Sequence, residues 1–179
     1  MPFVLVHGYL GGQDMWKFQE DLKDYFELIM PSLPGYGESA FMTAPSTIRE
    51  NAIKVFELLD HLEIDTFYLL GHSMGGKTAM YYAAKYSNRV EKMVIADIAP
   101  KYYPPHHQQI LKGLSALDFN TISSRLQADE ALSTFVTEKG VRQFLLKNLY
   151  WETKDRLGLR ANISVLSQKA EAVGEALPS

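Results

Sequence analysis

The chain has 179 residues, 18 Lys and Arg against 21 Asp and Glu, a net charge of −3, 46% hydrophobic residues and no cysteine. Such a length buries a sizeable core without a disulfide or metal staple, and the missing cysteines exclude thiol nucleophiles, zinc–thiolate sites and disulfide frameworks. The slightly acidic balance argues against a nucleic-acid partner. No apolar run reaches the ~18 residues of a membrane span, and the apolar run 3–6 is too short for a signal-peptide core, so a cytoplasmic location is expected.

In chain order, four apolar runs rich in β-branched and aromatic residues, 3–6, 26–30, 67–70 and 93–98, read as strands buried on both faces. A short helix over 15–23, capped by Asp14, lies between the first two. Between the second and third, Ile48, Ala52, Val55, Leu59 and Leu62 recur at helical spacing, with Ile53 and Phe56 widening the stripe. Thr47 and Glu50 have the spacing of a capping box at its start. A further helix is expected over 74–86. Strand–helix–strand repetition implies a parallel sheet with ligands at the carboxyl ends of its strands. After Pro100 no comparable strand signal appears, and helices are expected over 106–117, 123–136, 138–149 and 162–173.

The chemistry-bearing motif is Leu70-Gly71-His72-Ser73-Met74-Gly75-Gly76, placed between a strand and a helix. A strand-to-helix turn lifts a serine Oγ clear of the backbone only if the residues two before and two after it are small. Ser73 is therefore the candidate nucleophile, and the Met74 N–H, at the head of the following helix, a candidate oxyanion donor. His7-Gly8-Tyr9-Leu10-Gly11-Gly12 follows the first strand and offers the second donor, Tyr9 or alternatively Leu10. Neither a Gly-x-Gly-x-x-Gly nor a P-loop ending is present, which removes a phosphate-binding reading of that loop.

With both motifs in this order, the chain resembles the α/β-hydrolase family. The similarity extends through Asp97-Ile98-Ala99-Pro100, Tyr102, His106 and Gly140-Val141-Arg142-Gln143-Phe144-Leu145-Leu146 to a group of small bacterial carboxylesterases and acyl-thioesterases with a helical cap. Leu33-Pro34-Gly35-Tyr36-Gly37-Glu38-Ser39 has the commoner hydrolase form of its loop, not the Asn-His-Gly variant frequent in that group. The resemblance implies an α/β fold with the first and third strands adjacent and the second and fourth outside them. It further implies a core over 1–99, a helical cap over 100–173, a junction over 174–179, and pocket-lining roles for Tyr9, Met74, Tyr102, Tyr103, Phe144 and Trp151.

A serine needs a base, and the base a carboxylate. Asp97, at the carboxyl end of the fourth run, is the candidate acid. Of the five histidines, His7 belongs to the donor loop, His61 ends a helix and His72 precedes the nucleophile; His106 and His107 lie near enough in sequence to approach the site face. The resemblance places the base later, after further strands, so the chain is expected to be a fragment or to be complemented by another segment or a second copy, which would also cover the open edge of the fourth strand. The expected activity is hydrolysis of small-molecule carboxylic esters or thioesters of small to medium acyl groups through an acyl-enzyme, with no cofactor and no metal. A non-catalytic fragment or binding module is the rival from another class; serine-based C–C hydrolase, lyase or perhydrolase chemistry stays open within the fold.

Overall fold

The computed structural model describes residues 1–42, 47–105 and 107–178. Strands β1 (Pro2–Val6), β2 (Glu27–Ile29), β3 (Phe67–His72) and β4 (Val90–Ala96) form one sheet in the order β2-β1-β3-β4. All three pairings are parallel, with Val4 opposite Leu69 and Leu5 opposite Leu70. Val4, Leu5, Val6 and Leu69 are fully buried, as expected for a sheet covered on both faces.

Helix α1 (Ile48–His61) buries Ile48, Ala52, Val55 and Leu59 along the expected stripe and carries the capping box: Glu50 N–H donates to Thr47 Oγ1 at 3.2 Å and Thr47 N–H to Glu50 Oε2 at 2.6 Å. Leu62 lies beyond its end and is exposed, because the chain turns away through Glu63 at φ 56°. Helix α2 (Met74–Lys85) follows β3 directly and packs on α1, β3 and β4.

Several expectations are corrected. The segment Gln13–Asp24 is a 3-10 helix whose cap position is Gly12 with no side-chain bond; Asp14 sits inside its first turn, 3.2 Å from Lys17 Nζ. β4 begins three residues earlier than its apolar run and is not buried on both faces: Met93 and Val94 are 42% and 50% exposed, since no strand pairs with its outer edge among the described residues.

Beyond Pro100 the helices are shorter than their patterns: α3 (Gln108–Ser115), α4 (Arg125–Ser133), α5 (Lys139–Leu145) and α6 (Ile163–Leu166), the last continuing as a kinked 3-10 segment, Ser167–Gly174. A hairpin stands where helix was expected to reach residue 149, β5 (Leu149–Trp151) antiparallel to β6 (Leu157–Leu159). No helix among the described residues is long and apolar enough to cross a membrane.

Candidate functional site

The turn from β3 into α2 carries Ser73 at φ 51°, ψ −120°, a conformation that costs a non-glycine residue about 1–3 kcal/mol. Two things hold it there. Ser73 N–H donates to Ala96 O of β4 at 3.0 Å, and Gly76 N–H closes the turn on Ser73 O at 2.8 Å. Close approach explains the flanking glycines: a Cβ on Gly75 would press into the Val6 and His7 carbonyl oxygens, and one on Gly71 into the Gly75 carbonyl. The tight seat of α2 against β1 therefore requires these two positions to lack a side chain.

Met74 is the first residue of α2, so its N–H has no acceptor within the helix and adds to the positive end of the helix dipole. The loop after β1 lies against the same turn. Its geometry is set by His7, a buried ring whose Nδ1 is 2.9 Å from Gly8 O and whose Nε2 receives Leu33 N–H at 3.1 Å. That pairing requires the proton on Nδ1 and a neutral imidazole, and burial pushes the His7 pKa down to about 4. His7 is thus a structural ring with both nitrogens committed.

Tyr9 is buried, its hydroxyl donating to Leu166 O at 3.0 Å, and burial raises its pKa. The Tyr36 hydroxyl donates to Met74 Sδ at 3.8 Å and is also engaged by the Leu10 backbone, whereas the Tyr9 N–H has no acceptor among the described residues. Asn148 Nδ2 donates to Leu10 O at 2.8 Å and to Leu145 O at 3.1 Å, tying the loop to the second half of the chain. Asn148 and Lys77 are neighbours of the site that the sequence reading did not single out, while His7 and Tyr36 were placed in their loops without these hydrogen bonds being foreseen. For Asn148 the available signal was weak, an amide beside Lys147 between Leu146 and Leu149.

Ser73 opens into a cleft of about 390 Å³ walled by Met74, Ile98, Tyr103, Pro105, His107 and Val173. Of the expected pocket residues, Met74 and Tyr103 line it, and Tyr9 borders it through its ring, 4.7 Å from that of His107. The others lie elsewhere. Tyr102 is 58% exposed, because Tyr103 takes the inward position by donating its N–H to Gly174 O and accepting Ala99 N–H. Trp151 is 55% exposed at the outer end of β5. Phe144 lines a separate cavity of about 550 Å³ on the far side of Leu10 and Gly11.

Asp97 follows β4 at φ 58°, directly after the residue that accepts the Ser73 N–H. Its exposed carboxylate faces His72, with Oδ2 3.9 Å from Nε2. The His72 Nδ1 is buried without a partner among the described residues. His106 lies outside the described residues, and His61 is exposed at the end of α1.

A family model described as alpha/beta hydrolase fold matches residues 1–140. The chain is 34% identical over 152 residues to the esterase YbfF of Escherichia coli (strain K12), covering 82% of this chain and 58% of that protein. It is 37% identical over 181 residues to the sn-1-specific diacylglycerol lipase ABHD11 of Xenopus laevis, covering 93% of this chain and 56% of the relative. The chain thus spans somewhat over half the length of these curated relatives. Among solved structures, a marine microorganism esterase superposes with a TM-score of 0.92 at 26% identity, over 99% of this chain and 70% of that one.

Proposed function

The chain belongs to the α/β-hydrolase fold family, and from that premise we propose that it carries the nucleophile and oxyanion donors of a serine hydrolase acting on carboxylic esters or thioesters of small to medium acyl groups. The observation that carries this reading is the strained Ser73, held on a glycine-flanked turn with its side chain at an apolar cleft of about 390 Å³. Ser73 Oγ attacks the acyl carbon and its proton passes to a base. The oxyanion is held by the N–H groups of Met74 and Tyr9; collapse expels the alcohol or thiol, and water then resolves the acyl-enzyme. Asp97 supplies the carboxylate that stabilises the charged base. Residues 100–173 act as a cap that closes the cleft. A complementing segment or second copy would pair with the outer edge of β4, beside the apolar recess formed by Met80, Tyr81, Ala84 and Leu177. The names of the relatives, esterase and diacylglycerol lipase, support ester cleavage as the reaction class.

The test is labelling of Ser73 by a fluorophosphonate, read by intact mass, together with hydrolysis of nitrophenyl esters of graded chain length. Loss of an activated serine costs on the order of 10⁶ in turnover, so Ser73→Ala is expected to abolish both signals. Equal rates for wild type and Ser73→Ala refute the reading. A second reading concerns the base and is favoured by one placement: His107 lines the Ser73 cleft. If His107 takes the Ser73 proton, His107→Ala slows labelling at least a hundredfold, and an unchanged rate removes it.

A further inference from the structure

The machinery above leaves one buried cation unused. Lys77 stands on α2 one turn beyond Ser73, with its N–H on Ser73 O at 3.2 Å, and its side chain is fully buried. Two effects oppose an ammonium there: burial strips its hydration, and the first turn of a helix is the positive end of the dipole. Burial lowers its pKa, with Glu175 pulling the other way. No carboxylate lies within ion-pair distance of Lys77 among the described residues.

Its partners are backbone carbonyls and a ring face. Nζ donates to Gly174 O at 3.0 Å and to Glu175 O, and lies 5.1 Å from the centre of the Tyr103 ring. The same Gly174 O accepts Tyr103 N–H at 2.8 Å, and Leu177 N–H donates to Pro100 O at 2.9 Å. The contact is close enough that a Cβ on Gly174 would strike the Tyr103 carbonyl. The strand of chain leaving the sheet at 100–103 and the strand returning at 174–177 thus meet over this one ammonium. Tyr103, Val173 and Gly174 are also wall residues of the Ser73 cleft.

We propose that Lys77 is a positioning residue: it clasps the outgoing and returning ends of the helical segment to α2 and so sets the width of the cleft beside Ser73. The clasp stands on the hydrogen bonds alone; its consequence for the cleft rests on the hydrolase reading. The experiment compares the full chain with Lys77→Met, Lys77→Arg and Gly174→Ala. Residue-resolved hydrogen exchange at the Tyr103 and Leu177 amides is expected to accelerate at least tenfold in Lys77→Met, with the β3 amides within twofold of wild type and Lys77→Arg restoring part of the protection. Gly174→Ala leaves the packing of α2 intact and is expected to give the same acceleration, so the test survives if Lys77→Met fails to fold. Protected Tyr103 and Leu177 amides in either folded variant overturn the clasp.

The second readout is the ratio of Ser73 labelling rates by a bulky and a small fluorophosphonate, expected to rise at least threefold in Lys77→Met. An unchanged ratio overturns the effect on the cleft. If wild type is not labelled by either reagent, the hydrolase reading fails, and the exchange rates still decide the clasp.

Discussion

Acidification is expected to loosen this fold through His7. Its buried ring receives Leu33 N–H at Nε2 and donates from Nδ1 to Gly8 O, so adding a proton at Nε2 would set two N–H groups against each other. The folded pKa lies near 4 against 6.5 for a free imidazole. Between those values the unfolded chain binds the proton and the folded chain does not, so the stabilisation is complete above pH 6.5 and is lost as pH falls towards 4. The separation of about 2.5 pH units, at about 1.4 kcal/mol per unit, gives about 3.5 kcal/mol, of which about 2.5 is lost by pH 4.5. Against a total stability of about 5–15 kcal/mol this is a large share. Urea unfolding of wild type and His7→Gln at pH 7.5, 6.5, 5.5 and 4.5 isolates the effect, because other titrating groups cancel in the difference. Gln keeps an acceptor near Leu33 N–H but cannot charge. It is expected to be about 1–3 kcal/mol less stable at pH 7.5, from the lost bond to Gly8, with the gap closing or reversing by pH 4.5. A gap constant to within about 0.5 kcal/mol across the series would refute the assignment of His7 as a buried neutral ring.

The turn from β3 into α2 offers two further tests. Gly75→Ala drives a methyl into the Val6 and His7 carbonyls; overpacking of this kind costs about 3 kcal/mol or more, read as a loss of cooperative thermal unfolding by circular dichroism. Ser73→Gly removes the strain of φ 51° and is expected to raise stability by about 1 kcal/mol in urea while abolishing fluorophosphonate labelling. At the start of α1, Thr47→Ala deletes the acceptor for Glu50 N–H and is expected to cost about 1 kcal/mol by the same assay.

The parts of the fold read correctly from sequence are those where one local pattern is sustained. The stripe Ile48, Ala52, Val55, Leu59 spans three turns, and the parallel pairing follows from alternating strands and helices, whereas the strand order was implied by the family resemblance and by no local pattern. The hairpin β5–β6 escaped because each strand has three residues, too few for alternation to separate from a helical pattern. At the candidate site, the turn that carries Ser73 and Met74 and the loop that carries Tyr9 were legible because the glycines around them record a steric demand of the backbone. Tyr102 and Tyr103 were not distinguishable, since which of two adjacent tyrosines turns inward is decided by Gly174, seventy residues away. Lys77 was invisible for the same reason: its partners are carbonyls, and a carbonyl has no sequence signature.

That long-range dependence decides how the donor loop keeps its shape. Leu10 holds φ 54° without being glycine, a conformation that persists only when surroundings over-determine it. From inside the core, His7 fixes the start of the loop against Gly8 and Leu33. From the other side, Asn148 captures Leu10 O and the backbone at Leu166 receives the Tyr9 hydroxyl. Both outer anchors belong to the helical half, and each is the last residue of a short element, the 3-10 turn Leu146–Asn148 and the four-residue α6. The helical half therefore also holds the backbone of this loop, whose Tyr9 N–H the hydrolase proposal assigns to the oxyanion. On the proposed hydrolase mechanism, sequence changes in the helical half are expected to alter transition-state stabilisation, because the anchors of the Tyr9 loop lie there.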